Sequence, residues 1–145
     1  SLIIVGEGNE KATLERKYSK LIKRRLVHFV GEIYDELTLS NYFINSHLFV
    51  SPGNIGLACM HSLIYGTPIC THNDMNYQMP EAECLTESNS VLFKRGDLNS
   101  LTGAIKKGLL LKDSSEIEAK CRSTILKTYK PKNQIGLIEN FLDSI

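Results

Sequence analysis

The residues best suited to chemistry gather in two stretches of this chain. One is Ser51-Pro52-Gly53-Asn54-Ile55-Gly56-Leu57, and the other is the polar run His72-Asn73-Asp74-Met75-Asn76-Tyr77-Gln78-Met79-Pro80-Glu81. The first reads as a turn: Pro52 sets one φ, Gly53 is free in φ, and the Asn54 side chain can accept from backbone N–H groups. Small residues feeding a helix leave N–H groups unpaired and present the positive end of its dipole. Residues 54–57 therefore read as an anion site fitted to a diphosphate, with Gly56 leaving room for close approach. A helix start with no ligand is the plain alternative. His61 falls in the helix that follows, off its apolar stripe of Leu57, Met60, Leu63 and Ile64. It is either a structural histidine or a hydrogen-bond partner for a ribose hydroxyl. The polar run suits sugar hydroxyls, with a solvated surface loop as the alternative. Asp74 and Glu81 do not by themselves make a hydrolytic carboxylate pair, because that pairing depends on their separation in space.

Other motifs carry less. Gly6-Glu7-Gly8 opens like a dinucleotide fingerprint, but Lys11 stands where its third glycine belongs, so a tight β-to-α turn is the better reading. Cys59, Cys70, Cys84 and Cys121 form no C-x-x-C pair. The expectation is no metal site, and reduced cysteines acting as small core hydrophobes in a cytoplasmic protein.

These residues must be positioned by strands and helices in alternation. Apolar strand-like runs fall at residues 2–5, 26–30, 48–50, 68–71 and 91–93, and helical patterns at 9–25, 35–46, 55–65, 98–111, 114–129 and 133–145, with a short helix at 81–87. The 9–25 pattern shows Leu14, Tyr18, Leu21 and Ile22 on one face, and 35–46 turns Leu37, Tyr42 and Phe43 inward. Gly66 closes the helix after the first turn and Pro68 stops it. Asp97 and Ser114-Ser115 cap later helices, and Pro131 breaks the penultimate one. Short, wholly apolar strands alternating with helices predict βαβ units in a parallel sheet covered on both faces. Ligands of such sheets bind at the carboxyl ends of the strands, where Gly6, Gly31, residues 51–54 and residues 72–80 all fall.

At 145 residues the chain has the length of one domain, 1–145. Its net charge of +1 lacks the basic excess of a nucleic-acid partner. No apolar run approaches the roughly 18 residues of a membrane span, and no signal peptide is evident. The chain opens inside a strand, which suggests a segment cut from something longer.

The order IVGEG, VHFVGEI, LFVSPGNIGLACMHSLIYGTPI, MPEAE and FKRGDLNSL resembles the C-terminal, donor-binding domain of GT-B-type retaining glycosyltransferases of family 4, the glycosyl transferases group 1, over nearly the whole chain. Ile55-Gly56-Leu57, Ser62 and Gly66-Thr67-Pro68 match that family's key helix. The two glutamates of its E-x7-E pair fall on Gly53 and His61. The resemblance implies an α/β fold: a Rossmann-like three-layer domain with a parallel sheet, the C-terminal half of a GT-B fold. It implies a nucleotide-sugar donor such as a UDP- or GDP-sugar, no metal or other cofactor, and sugar transfer with retention to a glycan or lipid-linked acceptor. The setting it implies is bacterial polysaccharide synthesis. The acceptor would sit on an N-terminal domain outside these residues, as would the family's Arg/Lys pair for the diphosphate, leaving this segment alone inactive. The last helix would pack across that other domain.

The donor-binding residues implied are Gly31 and Glu32 near the base, Asn54, Ile55, Gly56 and Leu57 at the phosphates, Gly53 at the position whose family glutamate contacts the donor sugar, His61 at the position whose family glutamate holds the ribose, and Asp74 and Glu81 near the sugar. The expected location is cytoplasmic, and peripheral association with the inner face of a membrane is compatible with it. With neither glutamate present, a non-catalytic nucleotide-sugar- or partner-binding module is an alternative, and a GT-B-like sugar-nucleotide epimerase is another.

Overall fold

The computed structural model describes residues 1–111 and 115–145. The chain divides into two compact units, Ser1–Leu39 and Ser40–Ile145.

The first unit holds β1 (Leu2–Val5), α1 (Lys11–Lys17), α2 (Ser19–Lys23) and β2 (Val27–Gly31), with the start of α3 (Glu36–Ile44). β1 and β2 are parallel, Leu2 opposite Val27, with a register shift between Ile4 and Val5. The helix expected over 9–25 is two short helices meeting at Tyr18, whose φ of −104° leaves the helical range. Tyr18 and Ser19 are both modest helix formers, so little holds the chain straight there. α2 ends with Arg25 in the left-handed region at φ 57°, while the Leu26 and Arg25 N–H groups donate to Leu21 O and Ile22 O. That is a Schellman closure built on a residue with a Cβ.

The second unit holds the rest of α3, then β3 (Phe49–Ser51), α4 (Ala58–Ile64), β4 (Ile69–His72), β5 (Ser90–Phe93), α5 (Leu98–Leu111), α6 (Ser115–Thr124) and α7 (Pro131–Leu142). β3, β4 and β5 form a parallel sheet in that order, with Val50 opposite Cys70 and Cys70 opposite Val91. Successive residues of β4 point to opposite faces, as a pleated strand requires. Ile69 enters a core with Ile55, Cys59, Leu63, Cys84, Ile117 and Cys121, under α4 and α6. Cys70 enters a second core with Val91, Phe93 and Ala104, under α5. Helices on both sides of a parallel sheet make the expected α/β Rossmann-like layering. α5 comes so close that a Cβ on Gly108 would stand 2.7 Å from a Leu48 methyl.

Two-sided burial is complete only in β4, which has a strand on each side. In two-stranded β1, Leu2, Ile3 and Val5 are exposed. In α3, Phe43 is buried, edge-on to Phe49 at 5.4 Å, but Leu37 is exposed rather than inward. Gly66 closes α4 as expected, at φ 84°, with Thr67 N–H donating to Ser62 O and Gly66 N–H to Leu63 O. Asp97 caps α5 through the Ser100 N–H at 2.9 Å. The short helix expected at 81–87 is a 3-10 turn, Pro80–Cys84. α6 runs into a π turn at Ile125–Tyr129. Pro131, expected as a breaker, is the first residue of α7, where its missing N–H leaves no bond unmade. The expected cap at Ser114 lies outside the described residues. No described helix is long and apolar enough to cross a membrane.

Candidate functional site

In the second unit the parallel sheet brings the carboxyl ends of β3, β4 and β5 to one edge. From them emerge the 51–57 turn, the 72–80 loop and the Lys94-Arg95-Gly96 turn.

The 51–57 turn is not a helix start. α4 begins at Ala58 with Leu57 before it and no side-chain cap, so Asn54 does not take the capping role its type suggests. Ser51 Oγ donates to Asn54 O at 3.2 Å, and Thr71 Oγ1 donates to Gly53 O at 3.4 Å. Ile55 is the anchor, 1% exposed in the core beneath α4, while Leu57 is 69% exposed rather than on the inward stripe. Cys59, Ser62 and Leu63 form the buried face, and at 3.6 residues per turn Leu57 falls on the other side of the helix.

Gln78 ties this turn to the loop. Its Oε1 accepts the Ile55 N–H at 2.8 Å, and its Nε2 donates to His72 O at 2.8 Å and to Thr71 Oγ1 at 3.1 Å. The network sets the amide orientation, because an N–H and a carbonyl lie on opposite sides of it. His72 Nδ1 lies 3.2 Å from the same nitrogen and accepts the Asp74 N–H at 3.3 Å. The Ile55 N–H is thereby taken. Among the described residues, the N–H groups of Gly56, Leu57 and Ala58 have no protein acceptor. They form a short run of donors, and a Cβ built on Gly56 would stand 3.7 Å from Met79 Cγ, an ordinary contact.

His61 sits half-buried one turn into α4, its N–H on Leu57 O. Asp74 lies 3.9 Å from the Arg95 guanidinium, which lies 3.6 Å from the centre of the Tyr77 ring. Glu81, in the Pro80–Cys84 turn, accepts the Cys59 thiol on its backbone carbonyl at 3.7 Å, and its Oε2 is buried with no partner. Gly53 is exposed with open space where a Cβ would stand. The structure thus brings the sheet-edge segments carrying Gly53, Asn54, Ile55, Gly56, Leu57, Asp74 and Glu81 into one unit, joined through Gln78.

Gly31 and Glu32 belong to the first unit. Gly31 has φ 76° and accepts the Gly6 N–H at 2.7 Å, closing the turn after β1. Glu32 accepts the Tyr34 hydroxyl at 2.6 Å, which raises that phenol's pKa. Lys11 is ion-paired with Glu7.

Sequence reasoning did not single out Gln78, Thr71 or Arg95. The one signal for Gln78 is chemical: an amide is the neutral side chain that can accept from one backbone segment while donating to another.

The family model described as glycosyl transferases group 1 matches residues 1–127. No curated protein matches the chain. Among solved structures, the chain is similar to a mutant of S. aureus TarM in complex with fondaparinux, alpha-GlcNAc-glycerol and UDP. The TM-score is 0.71 and the identity 21%, over 97% of this chain and 28% of that one. It is similar to sucrose-phosphate synthase from Thermosynechococcus elongatus, with TM-score 0.69 and 20% identity over 99% of this chain and 38% of the other. It is also similar to Anabaena Alr3699/HepE in complex with UDP, with TM-score 0.64 and 18% identity over 99% and 40%. The chain spans between 28% and 40% of the length of these structures. The likeness establishes the fold, a Rossmann-like domain of the GT-B type.

Proposed function

The chain belongs to the glycosyl transferases group 1 family, and on that premise we propose that residues 1–145 form the nucleotide-sugar donor domain of a hexosyltransferase. The observation that carries this reading is the run of unengaged N–H groups at Gly56, Leu57 and Ala58, held at the sheet's carboxyl edge by Gln78. α4 has only seven residues, so the turn's own amides, more than a helix dipole, face the ligand. Preorganised N–H donors stabilise the charge that grows on a departing nucleoside diphosphate without moving a proton. The UDP in the TarM and HepE structures supports a uridine or related nucleotide as the donor's carrier.

In this reading Asn54, Ile55, Gly56 and Leu57 line the diphosphate, Gly53 stands by the sugar, and His61 bonds a ribose hydroxyl. Asp74 and Glu81 face the sugar. The donor is a UDP- or GDP-sugar, transferred with retention to a glycan or lipid-linked acceptor held by an N-terminal domain, with no metal or resident cofactor. The activity belongs to the full-length protein in the cytoplasm, at the inner membrane face when the acceptor is lipid-linked, and this segment alone turns over no donor. Polysaccharide synthesis in a bacterium is the setting that fits.

Calorimetric titration of the full-length protein with UDP- and GDP-sugars tests the reading. Saturable binding of at least one is expected, and binding of none overturns it. One observation favours a second reading: Gly53 and His61 stand at both glutamate positions of the family's pair. A non-catalytic module would bind donor and transfer nothing to any acceptor, and an epimerase would isomerise the sugar with no acceptor present.

A further inference from the structure

Two of the four cysteines, 25 residues apart, meet beneath the candidate site. Cys59, the second residue of α4, and Cys84, the last of the Pro80–Cys84 turn, stand 2.8 Å apart, sulfur to sulfur. The contact is closer than the about 3.5–4.0 Å of ordinary carbon contacts, and either thiol can be its donor. The two are 0% and 2% exposed. The close contact with Cys59 holds the Cys84 thiol below its ordinary range against its burial. The same contact, with burial, pushes Cys59 up. Of the two sulfurs, Cys84 is the one whose thiolate is favoured. The Glu81 carboxylate is near enough for its charge to act on both thiols, and its Oε2 is a buried acceptor with no protein donor. The donor-site reading uses neither sulfur.

We propose that Cys59 and Cys84 are a dithiol modification site, which a small peroxide converts to an intramolecular disulfide joining α4 to the Pro80–Cys84 turn. The oxidant must be small because the pair is buried. In the first step the Cys84 thiolate attacks one peroxide oxygen: an S–O bond forms, the O–O bond breaks, and the departing oxygen leaves as water after taking a proton. In the second step Cys59 sulfur attacks Cys84 Sγ. The S–O bond breaks, and the hydroxyl leaves as a second water with the Cys59 proton, for which Glu81 is the nearby carrier. Two thiols lose two electrons and two protons, and one hydrogen peroxide becomes two waters. Thiolate character at one sulfur and proximity of the second are what such a step needs. The new bond would restrain the turn that follows Gln78 against the helix that follows residues 51–57.

The test is treatment of the folded protein with hydrogen peroxide, read by intact mass and non-reducing peptide mapping. Neither readout involves a sugar donor, so the outcome is independent of the donor-site reading. A loss of two hydrogens, a cross-link between the peptides of Cys59 and Cys84, and full reversal by dithiothreitol are expected. Cys59→Ala and Cys84→Ala should each abolish the cross-link, and Cys70→Ala should keep it. Should either alanine variant misfold by circular dichroism, a peroxide time course on the unaltered chain gives the measurement, since the free thiols of Cys59 and Cys84 should disappear together as the cross-link forms. A cross-link to Cys121, a sulfinic acid without a cross-link, a bond that forms only in urea, or loss of one thiol without the other would each overturn the proposal.

Discussion

The backbone N–H of Ile55 donates to the Gln78 side-chain oxygen at 2.8 Å, across 23 residues of sequence. That bond decides which amides of the 51–57 turn stay open and which are spent internally. Gln78→Ala removes the acceptor for Ile55 and the donor for His72 O and Thr71 Oγ1 together. Partly buried groups left unpaired cost about 1–3 kcal/mol. Stability to urea should fall by that amount, and the Ile55 amide should exchange with solvent far faster than in the unaltered protein. Gln78→Glu keeps the acceptor and loses the donors, so it should restore Ile55 protection and leave most of the instability. Unchanged exchange at Ile55 in the alanine variant would show that the bond does not form in solution.

Two helices close by the same device on opposite residue types. α4 uses Gly66 at φ 84°, and α2 uses Arg25 at φ 57°. A Cβ in this region costs roughly 1–2 kcal/mol. Gly66→Ala carries that cost and crowds Glu118 Cβ at 3.2 Å, so a loss of at least about 1 kcal/mol is expected. Arg25→Gly relieves the strain and leaves the bond between Arg25 O and His28 intact, so it should stabilise by about 1 kcal/mol. Chemical denaturation of the two variants checks both signs at once.

What was legible in the sequence is what local pattern dictates. The five strands lie where short apolar runs meet turn residues, and Gly66 and Asp97 do what their types and positions suggest. What was not legible depends on partners far along the chain. Asn54 looks like a cap, but the Ser51 and Thr71 hydroxyls and the Gln78 amide hold residues 53–55 out of the helix. Leu57 heads a stripe with Met60 and Ile64, but the face that packing buries is Cys59, Ser62 and Leu63. The break at Tyr18 is a contest between weak propensities that periodicity does not register. The spacings of the four cysteines carry no trace of the contact between Cys59 and Cys84, which the packing of α4 on a 3-10 turn creates.

Alkaline stability should depend on Cys70. Burial raises its thiol from the ordinary 9.0 to about 11. An unfolded thiol ionises near its ordinary value, so between these limits the unfolded chain has released a proton that the native state still holds. The unfolded state then binds fewer protons, and stability falls with rising pH. This contribution is complete below about pH 9 and is lost progressively as pH climbs through 11. Each pH unit in that window is worth about 1.4 kcal/mol at most. Cys70→Ala removes the titrating group, so its stability deficit relative to the unaltered protein should shrink from pH 8 to pH 11. Urea midpoints of the pair measured across that range cancel the other titrating residues, and a constant deficit would show that Cys70 does not contribute.

The donor-site reading makes its sharpest demand at Gly53 and His61. Gly53 has open space at its Cβ position and is exposed, so Gly53→Glu should change stability by no more than about 0.5 kcal/mol. It restores a carboxylate at the position where the resemblance places the family's first glutamate. A hydrogen bond to a charged group is worth about 1.5–3 kcal/mol, so the variant should bind a sugar nucleotide at least about tenfold more tightly, with the free nucleotide unchanged. His61→Ala removes one neutral hydrogen bond to the ribose, worth about 0.5–1.5 kcal/mol, so donor KM should rise roughly two- to tenfold with kcat little altered. Together the two variants separate the ends of the donor: the first acts on the sugar, the second on the nucleoside. If Gly53→Glu tightens nucleotide and sugar nucleotide equally, the turn does not face the sugar. If His61→Ala leaves KM unchanged, the histidine is a structural member of α4.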